Sequence, residues 1–153
     1  MDKHVCKAKR IDTGEWIFGY FIGISFDQSY LAVQNNNLAT WRTYSVDPKT
    51  VCRCIGWKDS YKIPIFERDI VEFKCGSTSD RYLVCWCNEM NMLTAVPLDG
   101  IEFNGWDYWN GKYPQFEYPV FCLMMQDPYG DFSEIKVVGN IVDNTELMEG
   151  LSC

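Results

Sequence analysis

Apolar and polar positions alternate with a period of two along much of the chain, the spacing of strands rather than helices. Over residues 15–26, Trp16, Phe18, Tyr20, Ile22 and Ile24 fall on one face, and Ile17, Gly19, Phe21 and Gly23 on the other. This predicts one long strand, whose two glycines mark a bend, a bulge or the close approach of another backbone. Shorter strands are predicted at 7–11, 30–33, 41–46 and 51–55. Turn signals separate them at Asp12-Thr13-Gly14, Asp27-Gln28-Ser29 and Asp47-Pro48-Lys49, with an exposed loop at Asn35-Asn36-Asn37. The N-terminal part therefore reads as a meander of five strands.

Residues 56–73 join a strand end, a polar turn, a short apolar segment, a charged turn and a new strand, a corner between two halves of an all-β chain. Further strands are predicted at 69–75, 81–86, 92–98, 120–125 and 134–138. A single helical turn is predicted at 144–149, with Asp143 or Asn144 as N-cap and Glu146 near the positive end of its dipole. The segment 99–119 breaks the rhythm. It carries Phe103, Trp106, Tyr108, Trp109, Tyr113, Phe116 and Tyr118 among Gly, Asn and Pro without a clean period. The expected fold is all-β in two parts, residues 1–60 and 61–153.

Composition sharpens this picture. A 16% aromatic content within 47% hydrophobic residues excludes a disordered chain and favours sheets. The net charge of −7 is unevenly placed, with +1 over residues 1–98 and −8 over 99–153. The acidic part disfavours a nucleic-acid partner, and the basic concentration at Lys3, Lys7, Lys9 and Arg10 is a weak footprint for one. No apolar run reaches the roughly 18–20 residues of a membrane span, and the first residues lack the apolar core of a signal peptide. A cytoplasmic setting is expected, in which the eight cysteines are thiols.

Four segments resemble the YopX family of phage and prophage proteins. They are 7–16 (KAKRIDTGEW) followed by Gly19-Tyr20, then 46–51 (VDPKTV), then residues 56–73, and finally 138–147 (VGNIVDNTEL). They follow the family's order and bracket nearly the whole chain. The resemblance implies an all-β structure with an SH3-like barrel from about residue 63 to 142, a bacterial host cell and no assigned biochemical activity. Two turns depart from the family pattern. Ser60-Tyr61 stands where Asn-Gly is usual and Arg68-Asp69 where Gly-Asp is usual, so Tyr61 and Arg68 must take another turn type or bear strain. The segment 99–119 resembles an insertion.

Catalytic chemistry is hard to assemble from these residues. The chain has one histidine, His4, near its start, too few for an HExxH-type metal site. The pairs Cys52/Cys54 and Cys85/Cys87 each place two thiols on one strand face and would offer four ligands to zinc if they met. One intervening residue suits a tetrahedral metal poorly, so buried thiols are the better reading. Glu67/Asp69 and Asp127/Asp131 lie in turn sequences, and no glycine-rich phosphate loop is present. The sequence points to a non-enzymatic interaction module without cofactor or metal. It would bind a host or phage protein, or a second copy of itself as a homo-oligomer, through Phe103, Trp106, Tyr108, Trp109 and Tyr113. The alternative is a nucleic-acid accessory protein, with aromatics stacking on bases and the N-terminal lysines on phosphates.

Overall fold

Strands dominate the computed structural model, which describes residues 4–25, 28–35, 40–75, 77–87, 92–98 and 132–145. The chain divides into two compact units, Met1–Trp57 with Pro64–Phe66, and Lys58–Ile63 with Glu67–Cys153. The backbone thus leaves the first unit at Lys58, returns for three residues and leaves again at Glu67. Residues 56–73 contain all three passages.

The first unit holds β1 (Val5–Lys9), β2 (Trp16–Ser25), β3 (Gln28–Asn35), β4 (Thr40–Val46), a 3-10 turn (Pro48–Thr50), β5 (Cys52–Lys58) and β6 (Pro64–Phe66). Its sheet has the order β4-β3-β2-β1-β5-β6. The first four strands form the expected meander, and β5 returns to pair with β1 antiparallel. The β1–β2 hairpin turns on Gly14 at φ 71°, a left-handed backbone that glycine adopts without a Cβ clash. Arg10 N donates to Glu15 O and Gly14 N to Arg10 O, both at 3.0 Å. At the 3-10 turn, Asp47 accepts from Lys49 N at 2.9 Å and Pro48 supplies a fixed φ where no N–H is required. Thr50 Oγ1 accepts from Lys9 N at 2.9 Å and donates to Asp47 O at 2.8 Å, tying the turn back to β1.

This sheet curls. Asp47 N donates to Lys9 O at 2.9 Å and Ile11 N to Ser45 O at 3.1 Å, around an isolated bridge between Arg10 and Val46. The end of β4 therefore meets the end of β1 over one residue pair. Ala8, Leu31 and Val46 are fully buried together with Cys6, and Ile17 and Val51 pack against them. Gly19 is required by close approach, since a Cβ there would lie 2.4 Å from the carbonyl oxygen of Ala32.

The second unit contains β7 (Asp69–Cys75), β8 (Thr78–Cys87), β9 (Met92–Pro97) and β10 (Phe132–Asn140), all antiparallel, in the order β10-β7-β8-β9. Among the described strands the last lies beside the first, the Greek-key order. Among the described residues the sheet does not close into a barrel. Its buried residues include Ile70, Val71, Phe73, Leu83 and Val84, with Phe73 edge-on to Tyr82 at 5.0 Å between centroids. The β7–β8 hairpin is tighter than expected from sequence. Lys74 pairs with Ser79 and Cys75 with Thr78, so the ladder draws polar residues 78–80 into β8 and leaves a two-residue loop.

Asp59 fastens the turn before β6 to β10. Its carboxylate is 3% exposed and accepts from three backbone N–H groups: Tyr61 at 2.9 Å, Ile63 at 2.8 Å and Val137 at 3.1 Å. Beside it, Ser60 N donates to Ile135 O and Ile135 N to Ser60 Oγ, both at 2.9 Å. The left-handed residue of this turn is Lys62 (φ 70°), not Tyr61, because the Asp59 side chain occupies the amides on either side. At the second atypical turn Arg68 itself is left-handed at φ 67°. It is held by its N–H on Val84 O at 2.7 Å and its carbonyl under Ile141 N at 3.0 Å. The expected helical turn at 144–149 lies almost entirely outside the described residues, as does the strand expected at 120–125. No helix among the described residues is long and apolar enough to cross a membrane.

Candidate functional site

The register of the first sheet sorts its side chains onto two faces. One face carries the small core of Cys6, Ala8, Leu31 and Val46. On the other, Lys9 opposes Trp16, Lys7 opposes Phe18, Val5 opposes Tyr20, and Tyr20 is followed across β3 by Ala32 and across β4 by Thr43. Near β5 and β6 this second face is covered, because Cys52, Cys54 and Phe66 are buried with Val5 and Trp16 against them. Towards β4 it is open. Phe18 is 47% exposed, Tyr20 37%, Ile22 40% and Trp41 53%.

These exposed rings are ordered by contact with one another. Tyr20 and Trp41 meet edge to face at 5.5 Å, and Phe18 leans on the buried Phe66 at 5.6 Å with a 50° tilt. Such pairs prefer offset or edge-on geometry and contribute about 0.5–1.5 kcal/mol beyond area burial. A row of pre-ordered, solvent-facing rings is the composition of a contact surface, and scattered single exposures are not.

The basic residues near the start of the chain meet rings and acids of their own unit. Lys7, 8% exposed, has its ammonium 5.1 Å from the centre of Trp16 and 5.0 Å from that of Phe66, and Lys9 Nζ lies 5.6 Å from Trp16. Arg10 stacks over Tyr44 at 4.7 Å and is ion-paired with Asp12. The hydrogen bond between them raises the guanidinium's pKa and lowers the carboxylate's, against a smaller opposing effect of desolvation. Lys3 lies outside the described residues.

A second polar cluster sits in the other unit, where Glu134 accepts from the Tyr61 hydroxyl and pairs with Lys74 at 3.3 Å, with Lys136 Nζ 6.0 Å from the Tyr61 ring. The Tyr61 hydrogen bond, then that of Lys74, holds the Glu134 carboxyl below its ordinary value, and the same contacts raise Tyr61 and Lys74. Tyr82 is raised chiefly by desolvation. The cluster reads as a surface latch on β10.

Cys6, Cys52, Cys54 and Cys85 are thiols without disulfide bonds. Cys52 Sγ donates to Thr50 O at 3.3 Å, and Cys54 Sγ accepts from Gly56 N at 3.4 Å. Cys52 and Cys54 belong to the first unit and Cys85 to the second. Among the described residues no three His, Cys, Asp or Glu side chains gather as a metal site.

The contact residues expected from sequence, Phe103, Trp106, Tyr108, Trp109 and Tyr113, lie outside the described residues. The exposed face was missed, although its alternation at 16–24 was read correctly. The available signal was that both faces of β2 are apolar while only one core had to be filled on the small-residue side of β1. Trp41 gave no signal, because its neighbour Tyr20 is set by register across β3. No family model, no curated protein and no solved structure matches this chain.

Proposed function

We propose that the chain is a non-enzymatic interaction module that meets a protein partner through the exposed face of Phe18, Tyr20, Ile22 and Trp41. The observation that carries this reading is the row of solvent-facing rings on the part of this face that lies towards β4, beyond the buried cluster of Cys52, Cys54 and Phe66. The two units differ in charge. The first contains seven Lys/Arg against five Asp/Glu and the second seven against sixteen, formal charges of +2 and −9. The face itself has Lys7 and Lys9 as the charged residues of its strands, and no carboxylate. An acidic or neutral protein surface suits it.

The nucleic-acid alternative needs cations placed for phosphates, and Lys7, Lys9 and Arg10 are instead laid over rings or paired with Asp12. The four motifs that resemble YopX proteins support a phage or prophage setting in a bacterial cytoplasm. The strand order β10-β7-β8-β9, with the last strand back beside the first, supports an SH3-like reading of the second unit.

The test compares surfaces. Phe18→Ser with Trp41→Ser should remove the protein that wild type captures from host extract and leave binding to single-stranded DNA or RNA unaffected at low salt. A parallel Trp106→Ala, Trp109→Ala variant reports on the segment 99–119. Capture kept by the first variant and lost by the second would move the contact surface to that segment.

A further inference from the structure

The two edges of the first sheet are finished differently. β6 is three residues long and begins at Pro64, a blunted edge that offers little backbone to a newcomer. β4 runs seven residues, Thr40–Val46, with no proline and a single charge, Arg42. Its outer edge is taken only at one end. Ser45 O accepts from Ile11 N and Asp47 N donates to Lys9 O, so alternate residues of β4 aim their backbone groups away from β3. The two-residue repeat of a strand gives Thr43 and Trp41 the same outward aim as Ser45. Among the described residues no strand pairs with β4 there.

We propose that this open edge accepts an extended acidic peptide strand of a partner protein, paired through the backbone of Trp41 and Thr43. The inference rests on the proposed interaction role and names its partner's chemistry. Incoming residues opposite Trp41 and Thr43 share their face and lie beside the Trp41–Tyr20 pair, which favours apolar side chains. The residue between them falls opposite Arg42, the one charge of β4, which favours Asp or Glu. The recognised pattern is apolar, acidic, apolar in extended form. Main-chain bonds supply the affinity and the alternating side chains the selectivity.

Charge also argues against a second copy as the occupant. Two β4 edges can exchange both of their outward residues only antiparallel, with Trp41 opposite Thr43 of the other copy. That register sets Arg42 directly against Arg42, a destabilising like-charge pair. Arg42 therefore repels its own kind and attracts a carboxylate.

Amide exchange by NMR on the full chain tests this, with a capped pentapeptide of alternating threonine and valine around one central glutamate. The expected result is at least tenfold slower exchange at Trp41 and Thr43. The lysine-centred peptide should bind at least tenfold more weakly, and Arg42→Glu should exchange the two preferences. Arg42→Val should bring on concentration-dependent dimerisation that wild type lacks. Peptide-induced shifts at Phe18 and Ile22 without slowed exchange at 41 and 43 would overturn strand addition while leaving the aromatic contact face intact. Slowed exchange at 41 and 43 in wild type alone, reversed by dilution, would assign the edge to a second copy and overturn the acidic partner. No response at millimolar peptide overturns strand addition, and the aromatic face is then judged by its own Phe18 and Trp41 variants.

Discussion

The two units pack an antiparallel sheet by different means. In the first, small residues on β1 let β2, β3 and β4 curl close around Ala8, Leu31 and Val46, and large rings are left on the opposite side. In the second, the described rings Phe73 and Tyr82 pack on each other, and a buried carboxylate ties a turn to the last strand. There the ring of Phe73 is spent on packing inside the sheet. In the first unit Phe66 is buried near β5 and β6, while Phe18, Tyr20 and Trp41 stay exposed towards β4. The contrast separates residues that hold the fold from the exposed rings to which we assign the proposed contact.

The largest effect belongs to Asp59. Asp59→Ala leaves the amides of Tyr61, Ile63 and Val137 without their acceptor at a buried position, and the loss should reach about 3 kcal/mol. Asp59→Asn keeps one acceptor oxygen and should lose less. Urea unfolding of both variants measures it, and a loss under about 1 kcal/mol for the alanine would mean that the turn is not what fastens β10. On the first unit the corresponding test is Gly19→Ala. Its new Cβ would lie 2.4 Å from a backbone oxygen, so the β2–β3 pairing must shift, at a cost of about 1–3 kcal/mol. A neutral result would show a looser sheet than the register implies.

These two positions were unequally legible in the sequence. Gly19 was readable as a bend, a bulge or a close approach, and the nearness of the Ala32 carbonyl oxygen shows it to be the last. The hairpin at Gly14 and the 3-10 turn after Asp47 were readable because local chemistry dictates them. Asp59 looked like an ordinary turn residue, since one of its three partners lies 78 positions away, and nothing local announces that distance. The same limit hid the exposed aromatic face, which register across three strands creates from Phe18, Tyr20 and Trp41. Of the two outcomes expected at the atypical turns, another turn type or strain, Arg68 takes the left-handed strained form, whereas at the other turn that form falls one residue later, on Lys62, because the Asp59 carboxylate dictates the turn's hydrogen bonds.

Smaller changes sharpen the contrast. Lys62→Gly removes a left-handed side chain, with about 1–2 kcal/mol relieved and about 0.5–1 kcal/mol returned as extra freedom of the unfolded chain, so thermal unfolding should rise by a few degrees at most. The Glu134 latch is solvent-exposed and should matter only through pH. A carboxyl lowered in the folded state adds stability that is complete above its ordinary value of 4.5 and lost as pH falls through the folded value. Tyr61 and Lys74, both raised, add stability below their ordinary values of 10.0 and 10.5 that is lost as pH rises through the folded ones. Glu134→Gln should therefore differ from wild type at neutral pH and converge with it at both extremes. A constant offset across pH would remove the ion pair from the account.

The most direct measurement is a paired one on the Phe18→Ser, Trp41→Ser variant, reading thermal unfolding and partner capture together. The rings are exposed and touch chiefly each other and Phe66, so the unfolding free energy should fall by no more than about 1 kcal/mol for each substitution while capture is lost. A variant that unfolds far below wild type, or one that folds normally and still captures the partner, would contradict the assignment of this face to contact.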